Sequence, residues 1–93
     1  MPGQNLAKVY VQVAADFGVD GQLLPRSLVW EDGKRYEIDK VLACKSPAAM
    51  RAGGQGDRFT IQVKGRERYL FFERSTDLSG PNLGKWFVER RGY

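Results

Sequence analysis

Histidine is absent from this sequence and cysteine occurs once. That removes the commonest general base and the commonest transition-metal ligand. Without histidine, neither a Ser-His-Asp nor a Cys-His arrangement can form within the chain, and a structural zinc site lacks ligands. The remaining candidates for chemistry are thin. Ser27, Ser46, Ser75 and Ser79 sit in no nucleophile-elbow pattern. Cys44 has Lys45 beside it, and a neighbouring cation lowers a thiol pKa. A cysteine at a strand end is nevertheless more often a small buried hydrophobe. Glu37 and Asp39 lie two residues apart on one strand face, and ordinary cross-strand pairing near Arg35 and Lys40 explains them. Asp16, Asp20, Glu31 and Asp32 match no calcium-loop spacing. Gly53-Gly54-Gln55-Gly56 lacks the Gly-Lys-Ser/Thr ending of a phosphate loop. The expectation is a protein that is not an enzyme and holds no metal or cofactor.

Charge and aromatic placement favour binding instead. The formal net charge is +4. Residues 1–44 hold five basic groups against six acidic ones, a net −1, whereas residues 45–93 hold ten against five, a net +5. A basic half of this kind attracts nucleic acid or another polyanion. Single-strand binders combine a positive groove along the backbone with aromatic faces on which bases stack. The residues that fit are Arg58, Lys64, Arg66, Arg68, Tyr69, Phe71 and Arg74, interleaved with Phe59 and Phe72. Lys45, Arg51, Arg90 and Arg91 are candidates for further phosphate contacts. The competing explanation is that these aromatics fill the core and the cations are a solvated surface. A second functional class is a protein-interaction adaptor, or a homodimer joined through a sheet edge. Its candidate surfaces are the loop from Ser75 to Gly84 and the strand starting near Pro25. Monomer and edge-paired dimer both stay open.

These side chains must be positioned by strands. Lys8 to Phe17 alternates, with Val9, Val11, Val13, Ala15 and Phe17 on one face, and Gly18 and Asp20-Gly21 end it. At about 3.3 Å per residue this strand would run about 33 Å, too long for one straight side of a small barrel, so a bend near Ala14-Ala15 is expected. A second strand runs from about Leu23 to Trp30, and Pro25 marks an edge, a start or a bulge. A hairpin through Glu31-Asp32-Gly33-Lys34 leads to Arg35–Leu42. A three-residue loop with Gly33 in the left-handed position pairs Leu28 with Tyr36 and Trp30 with Lys34. That register gathers Leu28, Trp30, Tyr36 and Ile38 on one face, which is why it is preferred over a two-residue loop. Arg58–Val63, Arg68–Glu73 and Lys85–Arg90 complete six strands. Residues 46–51 have room for one short helical turn, with Ser46 as cap and Pro47 in its first position. Tyr69-Leu70-Phe71-Phe72 is apolar on both faces of its strand.

The fold class expected is all-β, a small SH3-like barrel or a strongly bent antiparallel sheet. One domain spans residues 8–91 behind a flexible segment 1–7, and 93 residues suffice for one core. The lone cysteine suits a reducing, cytoplasmic setting. The opening residues do not read as a signal peptide, and no apolar run approaches the length of a membrane span.

The frame Asp20-Gly21, Pro25, Trp30-Glu31-Asp32-Gly33 and Tyr36-Glu37-Ile38-Asp39, followed by Tyr69–Glu73 and Trp86-Phe87-Val88-Glu89, resembles a small bacterial family of proteins of unknown function. The resemblance implies a compact SH3-like β-barrel across roughly residues 8–90. It implies no activity, cofactor or site residue.

Overall fold

The computed structural model describes residues 6–46, 56–75 and 83–91. Eight strands follow in chain order: β1 (Leu6–Tyr10), β2 (Gln12–Phe17), β3 (Leu23–Val29), β4 (Arg35–Glu37), β5 (Lys40–Lys45), β6 (Asp57–Val63), β7 (Arg66–Arg74) and β8 (Gly84–Arg91). No helix occurs among the described residues. The short helical turn expected near 46–51 lies outside them, apart from Ser46.

Every ladder is antiparallel. Five strands pair in the order β1-β8-β7-β6-β5 and three in the order β2-β3-β4. The six expected strands became eight because two long ones change sheet partway. Between β1 and β2, the Val11 amide donates to the Trp86 carbonyl at 3.0 Å, after which the chain leaves β8 for β3. Between β4 and β5, the Ile38 amide donates to Arg26 and the next amide, of Asp39, donates to Gln62. Neighbouring residues thus bond to different sheets. The bend expected near Ala14-Ala15 is present as a register shift at that step, where Ala14 faces Ser27 and Ala15 faces Pro25. Arg26 is the extra residue on β3, so Pro25 sits at a bulge.

The sheets are bent but not closed into a barrel, so the SH3-like closure does not form. β4 reaches only Ser27 to Val29 of β3. Beyond that, Pro25 has no amide proton to offer a further ladder. The free edge of β5 and the Leu23–Pro25 part of β3 therefore remain apart.

The first hairpin adopts the three-residue loop. Leu28 pairs with Tyr36, the Trp30 amide donates to the Lys34 carbonyl at 2.9 Å, and Gly33 takes a positive φ of 81°. Burial of one apolar face explains the choice: Leu28 is in the core, with Trp30, Tyr36 and Ile38 packed against it. The β6–β7 hairpin, similar in sequence, turns differently. Val63 pairs with Arg66 across a two-residue loop in which Lys64 and Gly65 both have positive φ, 50° and 78°. That is the type I′ geometry, whose twist matches the flanking strands.

The core lies between the two sheets. Phe59, Ile61, Leu70, Phe72 and Val88 of the larger sheet meet Leu28 of the smaller, with Val9, Val11, Val13, Val41 and Trp86 around them. Residues of opposite parity on β6, β7 and β8 form the outer face of the five-stranded sheet.

Candidate nucleic-acid interface

Alternation divides the residues singled out from the sequence. On β7, Leu70 and Phe72 are buried in the core, while Tyr69 and Phe71 point outward. Arg66, Arg68 and Arg74 share the inward parity of Leu70. They lie at the two ends of the strand, beyond the packed centre, and are exposed. Arg58 neighbours Phe71 in register, so it belongs to the outer face with Tyr69 and Phe71. Lys64 sits in the hairpin turn, its Nζ 5.3 Å from the Tyr36 ring. Phe59 and Phe72 are core residues. Trp86 packs over both, with ring centroids at 5.4 and 4.8 Å.

The double-sided apolar stretch is thereby accounted for. Phe71 has 7% of its surface exposed although no second layer among the described strands covers the outer face. Phe87 is stacked on it at 4.9 Å with the ring planes 6° apart. Phe87 is itself 0% exposed, with Tyr10 edge-on at 5.9 Å and the Lys8 ammonium 4.8 Å above the ring. The ladders place Tyr10, Phe87, Phe71, Arg58 and Lys45 in one row across all five strands. At about 4.8 Å per strand the row is about 19 Å long.

Two tyrosines of this face remain open to solvent, Tyr10 at 51% and Tyr69 at 53%. Each carries a cation on its ring: Lys85 lies 5.3 Å from Tyr10, and the Arg58 guanidinium 4.5 Å from Tyr69. Such contacts contribute about 0.5–1 kcal/mol at exposed sites and hold the charge near the ring. Lys8 is bound to Glu73 at 2.8 Å, and that carboxylate also accepts from the Tyr10 hydroxyl at 3.4 Å. The bond from Lys8 draws the Glu73 pKa below the ordinary carboxylate value, and the same bond raises that of Lys8.

The cations differ in how they are engaged. Arg74 binds Asp57 at 3.1 Å and Arg90 binds Glu31 at 2.6 Å, so two of the expected phosphate contacts are tied to carboxylates. Lys45, Arg58, Lys64, Arg66, Arg68 and Lys85 form no ion pair among the described residues. Five of those six lie on β5, β6, β7 or the turn joining β6 and β7. Arg51 lies outside the described residues, as does the side chain of Arg91. Tyr10, Lys8 and Lys85 were not singled out from the sequence. The signal for Tyr10 was the alternation itself, which sets it opposite in parity to Val9, Val11 and Val13.

Cys44 is exposed rather than a buried hydrophobe. Partial burial of the thiol, then the Asp57 charge, push its pKa up, while Arg74 opposes them. The thiolate is therefore disfavoured despite Lys45. Cys44 lines a cleft of about 1200 Å³ between the β2–β3 turn and β5, floored by Phe59 and Phe72. Among the described residues, no three His, Cys, Asp or Glu side chains group as metal ligands would. No helix there is long and apolar enough to cross a membrane.

No family model matches this sequence, and no curated protein or solved structure matches it either. The resemblance to a bacterial family therefore gains no support, and what stands is the all-β architecture.

Proposed function

We propose that the protein is a non-enzymatic binding module that holds single-stranded nucleic acid on the outer face of its five-stranded sheet. The observation that carries this reading is the pair of half-exposed tyrosines, Tyr10 and Tyr69, each with a cation on its ring. They stand two strands apart on a face whose other aromatics, Phe71 and Phe87, already form a rigid stacked floor. Bases accept stacking from any aromatic face, and each stacked base contributes about 1–3 kcal/mol. A sheet surface presenting aromatics to splayed bases is an established way to bind single strands.

Charge supports the same reading. The exposed cations of β5, β6, β7 and the β6–β7 turn outnumber the free carboxylates of those elements, since Asp57 is committed to Arg74. On the tyrosine face itself, Lys45, Arg58 and Lys85 would supply the phosphate contacts, since Arg66 and Arg68 take the opposite parity. A lone cysteine suits a reducing compartment, where nucleic acid also resides.

Titration of fluorescent oligothymidylate and oligouridylate at two salt concentrations tests the proposal. Binding that weakens steeply with salt supports it, because phosphate contacts release counterions. Absence of binding at low salt overturns it. Most of the adaptor alternative's loop, residues 76–82, lies outside the described residues, and the tyrosine pair is what favours the single-strand reading.

A further inference from the structure

We infer that Lys45 and Arg58 together form a binding site for a phosphate monoester, the end group of a strand lying on the aromatic face. This rests on the single-strand reading above and specifies where the strand ends. Lys45 and Arg58 are direct partners in the β5–β6 ladder. Side chains so placed stand about 5 Å apart at Cβ, and like charges directly opposite each other destabilise a sheet. No carboxylate relieves this pair: neither residue forms an ion pair among the described residues. The nearest acid in sequence, Asp57, points to the other face and is bound to Arg74. A bound anion is the missing partner.

The arginine is also prepared for it. Its guanidinium lies 4.5 Å from the Tyr69 ring, which holds the charge on the aromatic face. Its Nε is buried and has no hydrogen-bond partner. Buried donors are normally satisfied, so this one marks a site awaiting an acceptor. A planar fork beside a point charge suits phosphate oxygens, which arginine binds in bidentate fashion and lysine as an ion. Two positive charges match the near-dianionic monoester better than the single charge of a diester. Position agrees with this. β5 is the last strand of its sheet, and the row from Tyr10 through Phe71 ends at Arg58 and Lys45.

The test compares the full chain with its Lys45→Gln and Arg58→Gln variants, using one oligothymidylate with a 5′-phosphate, a 3′-phosphate or neither. The wild type should bind one phosphorylated form about tenfold more tightly than the unphosphorylated one, as a charge-assisted hydrogen bond of about 1.5 kcal/mol implies. Both substitutions should abolish that preference, read within each variant as the ratio of its affinities for the phosphorylated and unphosphorylated strand. Equal affinity for all three oligonucleotides, or a preference that survives both substitutions, overturns the inference and leaves the single-strand reading standing. If no oligonucleotide binds, the single-strand reading fails on its own. The Arg58 Nε–H resonance followed during titration with thymidine monophosphate and with inorganic phosphate then decides the site. A saturable shift lost in Lys45→Gln keeps it, response to inorganic phosphate as well as the nucleotide makes it a general phosphate site, and no shift with either removes it.

Discussion

Inward and outward residues of β7 are equally apolar at its centre, yet they meet different surroundings. Leu70 and Phe72 enter a core shared by both sheets. Phe71 is almost as well covered, with Phe87 of its own sheet stacked on it. Tyr69, two residues earlier on the same side, is half exposed, with the Arg58 guanidinium over its ring. The inner face is therefore buried by tertiary packing and the outer one by a local stack that thins into exposed tyrosines. Apolar content alone does not separate core from contact surface; what covers each ring does.

Removing an inward side chain should have the largest effect. Leu70→Ala, at a fully buried position, should cost about 2–5 kcal/mol in urea denaturation. Tyr69→Ala should cost no more than about 1 kcal/mol, the size of its cation–π contact. Similar costs for the two would break the comparison. Gly84→Ala acts between the faces, because a Cβ there would run into the Glu73 carbonyl oxygen and the Phe72 ring. About 1–3 kcal/mol of destabilisation is expected, with the Phe72–Trp86 contact disturbed and visible as changed ring-current shifts.

Binding sharpens the contrast. Tyr69→Ala should lose about 1–3 kcal/mol of affinity for oligothymidylate, whereas a conservative core change such as Val88→Ile should lose almost none. Gly65→Ala tests the hairpin tip, since the φ of 78° costs a side chain about 1 kcal/mol even in open space. Calorimetric melting measures that cost.

The smallest effect belongs to Lys8 and Glu73 on the exposed rim. The Glu73 pKa is lowered in the fold, chiefly by the hydrogen bond from Lys8. Its contribution is therefore present above the unfolded pKa and fades as pH falls through the folded one. Lys8 is raised, so its contribution fades as pH rises through its own folded pKa. The melting temperature of Glu73→Gln should approach that of wild type as pH falls through the acid range.

Much of this was legible in the residues. One-sided burial of Leu28 and Tyr36 fixed the first hairpin, and Pro25 announced the bulge at Arg26. The long alternation from Lys8 to Phe17 announced a bend. It did not reveal that the chain changes sheet at Val11, because a strand crossing between sheets keeps its period of two. The same holds at Ile38-Asp39. The turn at Lys64-Gly65 looked like the first hairpin in sequence but pairs with one residue fewer in its loop. At the site, interleaved arginines and aromatics read as one group. Alternation and pairing separate them: Arg58 joins Tyr69 and Phe71, while Arg66, Arg68 and Arg74 take the other parity. Which cations are tied to carboxylates depended on long-range contacts such as Arg90 with Glu31, which no local pattern records.

The proposed contact surface is the outer face of the five-stranded sheet. Backbone amide shifts of the isotope-labelled protein, followed during titration with oligothymidylate, test it most directly. The account predicts saturable shifts at Tyr10, Arg58, Tyr69, Phe71 and Phe87, with Leu28, Trp30 and Tyr36 unmoved. Shifts confined to the cleft around Phe17, Leu23 and Leu42, or none at low salt, would contradict it.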